Sequence, residues 1–318
     1  MLFDRSHNRR KFLRQAGALL AAAQSATGLE GSVLTERTLV ENKKGGFRFL
    51  RGIAPYSSGA VAMEGYEVTH AILPPAPPYR KGFEEIDRHL RKLGRPHEAL
   101  CGIELRSPRP FTFAGFNEFN RQYLELLERR GILAGGLNPV ARTNVAPEID
   151  PPKEVSLYGF SYTVPVPAAV KSFVVAGGGE LTGERLDARD IVRRGDVSED
   201  GLREKAAHVL GLMETRLQGL GVTWTDVSMI GVYTVHNIFP LMRELLLPRL
   251  GAAKIHGIRW HYSRPPIEEI EFEMESPHVE KVIPANGEAV VSVSPLSAGR
   301  YEFFDDFNQK AHGSLNVK

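Results

Sequence analysis

Cysteine is almost missing from this chain of 318 residues. The single one, Cys101, excludes an intrachain disulfide framework and a cysteine-rich zinc site. Its setting, Ala99-Leu100-Cys101-Gly102-Ile103, is an apolar strand-like run, which reads as a buried inert thiol rather than a nucleophile. An excess of one charge sign is missing too. Lys and Arg number 40 against 38 Asp and Glu, for a formal net charge of +2. Nucleic-acid partners call for clustered basic excess, so none is expected. No apolar run is long enough to span a bilayer, so no stable membrane span is expected either. What remains is 42% hydrophobic and 25% charged residues, a globular composition with length for one large domain or two ordinary ones.

The N-terminus carries a pattern of its own. Asn8-Arg9-Arg10-Lys11-Phe12-Leu13-Arg14 precedes the small-residue run Ala16-Gly17-Ala18-Leu19-Leu20-Ala21-Ala22-Ala23. Paired arginines, a Phe-Leu and a mildly hydrophobic core resemble a twin-arginine export signal. Residues 1–30 are therefore set apart from the fold, and export to the periplasm is expected. No clean cleavage site follows, which leaves a cytoplasmic location as the alternative.

From residue 47 onward the chain alternates strand and helix signals. Residues 47–63 and 66–73 alternate apolar and polar side chains as a hairpin does. Phe83, Ile86, Leu90 and Leu93 predict a helix over 83–93, stopped by Gly94. A strand over 101–105, a helix over 116–130 and strands over 141–145 and 155–164 follow. The second half repeats this order: a strand over 172–177, a helix over 202–220, a strand over 227–235, a helix over 240–250 and a strand over 267–274. Leu90-Arg91-Lys92-Leu93-Gly94 and Leu217-Gln218-Gly219-Leu220-Gly221 occupy matching places in the two halves. Each is followed by a strand, a loop and a helix opened by a phenylalanine, Phe116 or Phe239. A duplicated α+β unit is expected, with a linker near 164–171 where Val164-Pro165-Val166-Pro167 disfavours a continuous strand.

Several residues bear chemistry in order. The turn Ala54-Pro55-Tyr56-Ser57-Ser58-Gly59 precedes a strand, Asn120 stands three residues before Tyr123, and Arg142-Thr143 opens a late strand. In that order the first half resembles the Rid/YjgF family of small enamine and imine deaminases. The second half fits through its helix, the strand start Asp226-Val227 and Ile270-Glu271-Phe272-Glu273, and loosely through Ala176-Gly177-Gly178-Gly179-Glu180. The resemblance implies an α+β fold of two Rid/chorismate-mutase-like repeats, each a mixed β-sheet with two helices packed on one face. The repeats would occupy 47–164 and 172–275, with 276–318 as a C-terminal extension. Departures are plain. His70-Ala71 stands where the family offers Ser-Gly, and Ser156-Leu157-Tyr158 stands where it has a late Glu. The second half lacks the Tyr turn and has His256-Gly257-Ile258-Arg259 at the place of the Arg. Neither half is a complete family site, so the halves are expected to build one together.

For that joint site the resemblance implies a small carboxylate-bearing substrate. Arg142 would pair bidentately with its carboxylate, as a planar guanidinium suits. Asn120 would bind a polar substrate group, and Tyr56 would close over it. Glu271, given from the other half, would position or deprotonate water. The expected reaction is hydrolytic deamination of an imine, enamine or aminomuconate-like compound, with no metal or organic cofactor. Chorismatase-like release of pyruvate and non-catalytic binding of small carboxylates are the alternatives. A homo-oligomer of the family's trimeric kind is expected. His256 and His261 lack standard zinc spacing and read with Trp260 and Tyr262 as an aromatic cluster. Gly177-Gly178-Gly179 is not followed by a helix, against a phosphate loop. His70, His236 and Asn237 are candidates for a pocket rim.

Overall fold

A computed structural model describes residues 39–277, except 54, 74, 168–170 and 184–186, together with residues 298–317 except 306 and 307. The export-like segment 1–30 lies outside the described residues. The chain divides into two compact units, Met1–Glu280 and Lys281–Lys318.

Helical spacing of apolar residues is realised in the first unit with longer N-termini than the periodicity suggests. Helix α1, Tyr79–Lys92, follows the extended Pro78 and buries Phe83, Ile86 and Leu90. Helix α2, Phe113–Arg129, starts where the Thr112 hydroxyl accepts from the Gly115 amide, at 3.1 Å. Helix α3, Glu199–Gly219, starts where Ser198 does the same for Gly201. In both cases a side-chain oxygen satisfies an amide that the helix itself leaves without a partner. The fourth helical stretch, α4, runs from Phe239–Leu241 through a π-helical turn, Met242–Leu246, into Leu247–Leu250. Pro248 has no N–H to return to the carbonyl four residues back, which explains why the regular ladder is interrupted beside it.

Twelve strands of this unit form two sheets. They are β1 (Leu39–Asn42), β2 (Phe47–Leu50), β3 (Gly59–Ala62), β4 (Tyr66–Ile72), β5 (Leu100–Arg106) and β6 (Ala141–Pro147). Then come β7 (Ser156–Pro165), β8 (Phe173–Gly179), β9 (Gly231–Tyr233), β10 (Arg259–His261), β11 (Ser263–Arg264) and β12 (Glu273–Pro277). One sheet has the order β11-β6-β5-β7-β4, the other β1-β2-β3-β8-β12-β9-β10. Within the first, β5 runs parallel to β6 and antiparallel to β7, which pairs antiparallel with β4. Within the second, β9 runs parallel to β10 and antiparallel to β12, which pairs antiparallel with β8. The same four-strand order and sense therefore occur in both sheets of this mixed α+β unit.

Three strand expectations need correction. Residues 47–63 and 66–73 do not form a common hairpin, because β3 pairs with β2 and β8 while β4 pairs with β7 in the other sheet. Gly65, at φ 80°, makes the turn between them. The strand expected over 227–235 is confined to β9, preceded by a 3-10 turn at Trp224–Asp226. The one expected over 267–274 begins only at Glu273.

Each sheet has its own helices. Phe83, Ile86 and Leu90 of α1 and Phe119, Tyr123 and Leu127 of α2 pack with Ile103, Leu105 and Phe160 of β5 and β7. Val209, Leu210, Met213 and Leu217 of α3 and Leu246 and Leu250 of α4 pack with Phe173, Val175, Val232 and Met274. Between the sheets a third cluster joins Phe47, Phe49, Ala60, Val68, Cys101, Ala141, Val174 and Ala176. Cys101 is buried there, and burial raises its thiol pKa beyond the ordinary range, as suits an inert side chain. Among the described residues no helix is long and apolar enough to cross a membrane. The second unit contains an antiparallel pair, β13 (Gly299–Asp305) and β14 (Asn308–Val317).

Candidate active site

The turn around Tyr56 is tied to the strand that carries Arg142. Asn138 Nδ2 donates to the Pro55 carbonyl at 2.8 Å, and the Ser57 amide donates to the Val140 carbonyl at 3.0 Å. The Ser57 hydroxyl reaches the Pro139 carbonyl at 3.1 Å, and Ser57 bridges to Ala141 at the start of β6. Tyr56 is thereby held 5.0 Å, ring centre to guanidinium carbon, from Arg142. Rings from α2 complete the surround, with Tyr123 at 4.8 Å, Phe116 at 5.3 Å and Phe119 at 5.6 Å. Cations over aromatic faces gain about 0.5–2 kcal/mol each, which offsets part of the desolvation of this guanidinium.

Arg142 is 3% exposed and incompletely partnered. Its Nη2 donates to Asn120 Oδ1 at 2.6 Å, while its Nη1 has no hydrogen-bond partner. Asn120 Nδ2 also has none. Burial pushes the Arg142 pKa down, opposed by Tyr123, Tyr56 and Glu273. A guanidinium starts high enough to keep its charge. Unmet buried donors around a cation are costly unless an anionic acceptor arrives. Tyr56, Asn120 and Arg142, all expected at the site, are thus brought together.

A narrow cleft opens beside them. Phe116, Arg142 and Asn144 line it from one sheet and its helix, Gly177 and Glu273 from the other sheet, and Tyr56 from the loop between β2 and β3. Glu273 is 4% exposed, and burial raises its pKa well above the ordinary carboxylate range, helped by nearby Glu275 and opposed by Arg216. Burial therefore favours the protonated form of this carboxyl. Tyr56 remains a phenol, its pKa raised by burial. The Glu273 carboxyl rests against Gly177, where an added Cβ would collide with its Oε1 and approach the Thr143 side chain to 3.0 Å. Gly177→Ala is expected to lower kcat about 10- to 100-fold through displacement of the acid. Steady-state rates alongside a melting curve check this, and an unchanged kcat would show that the contact does not place Glu273.

Glu271, the acid expected from the resemblance, is not among the residues lining this cleft. It lies before β12 begins, and its Oε2 meets His236 Nε2 at 2.8 Å. That hydrogen bond holds its carboxyl below the ordinary range, as a water-deprotonating carboxylate would need, but on His236 and away from this cleft. The glutamates at 271, 273 and 275 alternate identically in sequence. Their roles part because 267–272 is not a strand. Glu180 causes this locally, its carboxylate accepting from the backbone amides of Glu271 and Phe272 at 2.6 and 3.1 Å. Glu180 itself is held by Lys205 Nζ at 3.1 Å, with both side chains fully buried. A lysine in the apolar stripe of α3, three residues from Leu202 and four from Val209, was the signal for this pair.

The remaining polar candidates have other positions. His70 contacts Ser161 Oγ at 3.0 Å and Glu104 Oε1 at 3.2 Å between the sheets, and burial lowers its pKa to about 4. Glu104 also takes Arg106 at 3.2 Å. Near them Glu275, hydrogen-bonded by the Tyr233 hydroxyl, is raised to about 7 by burial and by Glu104. Asn237 caps the Phe239 amide at 3.0 Å. His261 stacks on Tyr233 at 4.5 Å, and Trp260 meets Phe239 edge to face at 5.8 Å. Among the described residues no group of three or more His, Cys, Asp or Glu side chains is arranged to hold a metal ion.

Comparison with known proteins now adds to this geometry. The family model described as 2-aminomuconate deaminase CnbZ matches residues 39–283. A 2-amino-5-chloromuconate deaminase of Comamonas testosteroni is 43% identical over 235 residues, covering 73% of this chain and 92% of that protein. A chorismatase crystal structure is similar at TM-score 0.41 and 14% identity, over 74% of this chain and 77% of the other, a loose likeness. A model described as a cupredoxin-like domain matches residues 261–317. That stretch has no cysteine, so it does not supply the thiolate of a blue-copper centre.

Proposed function

The chain belongs to the 2-aminomuconate deaminase CnbZ family and is a deaminating enzyme, and we propose that it hydrolyses an aminomuconate-like enamine or imine in the cleft between its two sheets. The observation that carries this reading is the buried guanidinium of Arg142, with an unmet N–H, lining one cleft with the buried carboxyl of Glu273. Arg142, with Asn120 fixing its other nitrogen, takes a substrate carboxylate. Glu273, in place of Glu271, gives its proton to the enamine carbon, which converts the C–N unit into an iminium. Tyr56 orients the water that adds to the iminium carbon. One proton of that water passes to nitrogen and the other returns to the Glu273 carboxylate, and collapse of the adduct breaks the C–N bond, releases ammonia and leaves a carbonyl. The carbon attacked is already electrophilic, so positioned water and proton transfer suffice. The repeated strand order supports a duplicated, Rid-like origin of the two halves, and assembly into a homo-oligomer goes with that reading.

The test is ammonia release from 2-aminomuconate-type compounds. The wild-type chain is expected to release it, and no release from any of them would overturn the reading. A carboxyl with a raised pKa is protonated below that pKa, so activity is expected to fall as pH climbs through it. Glu273→Gln keeps the shape but has no such proton to give, and is expected to lower kcat about 10²- to 10⁴-fold. A variant that retains both the rate and the alkaline fall would remove Glu273 from the mechanism.

A further inference from the structure

We infer that Asn144 is a second substrate-reading residue, donating its amide to an oxygen at the end of the substrate away from the carboxylate held by Arg142, so that the cleft selects dicarboxylates. This rests on the deaminase reading above and names the residue that reads the substrate's second carboxylate. Asn144 lies two residues beyond Arg142 on β6, so both side chains leave one face of the strand, with Cα atoms about 7 Å apart. Asn144 is 3% exposed and lines the cleft. Its Oδ1 accepts from the hydroxyl of Ser107 at 2.8 Å, and Ser107 is fully buried with its own amide bonded to the Val145 carbonyl at 2.8 Å. That clamp fixes which way the amide faces. The Nδ2 has no hydrogen-bond partner.

Such a donor is unfavourable without an acceptor. The cleft wall is otherwise largely apolar, with Phe116, Leu181 and Ile267 among its residues. Arg142 Nη1 is the other unmet donor lining the cleft. Two such donors spaced along one strand face fit a short molecule with oxygen acceptors at both ends. An ammonium or a methyl group at the far end would leave Asn144 unpaired, and rejection of the wrong group by an unpaired buried donor is a strong source of selectivity.

Muconate and sorbate make stable probes, since they share a six-carbon dienoic skeleton and differ only in the second carboxylate. Calorimetric titration of the full chain is expected to show tighter binding of muconate. Asn144→Ala should weaken muconate about 10- to 100-fold and sorbate by less than about threefold. Asn144→Asp, which puts an acceptor where the donor was, should abolish the preference for muconate. Equal losses for both ligands, or an Asp variant that still prefers muconate, would overturn the assignment. Ser107→Ala leaves Asn144 in place and keeps the question answerable if the Asn144 variants do not fold. Its preference for muconate should fall severalfold, and an unchanged preference counts against the clamp. Ammonia release by the wild type is scored separately, so loss of the deaminase reading and loss of this one give different results.

Discussion

Arg142→Met is expected to cut kcat/KM by about 10³-fold while the melting temperature stays within a few degrees of wild type. The guanidinium offers a substrate carboxylate charge-assisted hydrogen bonds of roughly 1.5–3 kcal/mol each, and two of these correspond to roughly 10²- to 10⁴-fold in kcat/KM. Stability should respond differently. In the free protein this cation is 3% exposed, meets Asn120 with one nitrogen and leaves the other unpartnered. Exchanging a buried, incompletely paired charge for an apolar chain of similar length is commonly neutral or stabilising. The four surrounding rings then pack on a methionine, a side chain suited to irregular apolar space. Ammonia-release kinetics and a thermal melt on one preparation separate the two effects. A kcat/KM within tenfold of wild type would remove Arg142 from the site, and a collapsed melting temperature would recast it as a structural residue.

The largest loss of stability is expected at a residue outside the cleft. Lys205→Met should destabilise the protein by about 3–5 kcal/mol, because Glu180 is left buried without its cation. For a unit of this size that corresponds to a fall in melting temperature of roughly 6–20 °C. Burial already raises the Glu180 pKa, against hydrogen bonds from the Glu271 amide and the charge of Lys205. Without Lys205 the carboxylate would protonate or draw away from the amides of Glu271 and Phe272. Those two amides set the entry of the chain into β12, two residues before Glu273. Activity should therefore fall together with stability, unlike the outcome at Arg142. The double variant Lys205→Met/Glu180→Gln should recover a large part of the lost stability, since a neutral amide needs no cation. A double variant no better than the single one would show that the ion pair is not the source of the loss.

Much of this was legible in the chain. The stripes Phe83-Ile86-Leu90 and Leu202-Val209-Leu217 gave the helices, since burying one face requires period 3.6 wherever the helix lies. Tyr56, Asn120 and Arg142 were legible as a set because their order resembles that of the Rid/YjgF family. The acid was not. Glu271, Glu273 and Glu275 share one parity, and a strand pattern cannot distinguish them. The contact that breaks the pattern comes from Glu180, 91 residues earlier than Glu271. Nor was the partner of β3 legible, because residues 59–62 satisfy a hairpin with β4 and a ladder with the distant β8 equally well. Asn144 carried no signal at all, since an asparagine in a strand declares its unmet amide only when its neighbours are placed.

By itself the sequence determined the helices, the likeness between the two halves and the single inert thiol. All of these follow from periodicity, turn chemistry and residue type, which act over a few residues. Only the tertiary structure decided which carboxyl keeps its proton and which donors go unmet. Those properties belong to burial and to partners far away in the chain, and burial raises the pKa of Glu273 because two sheets close over it.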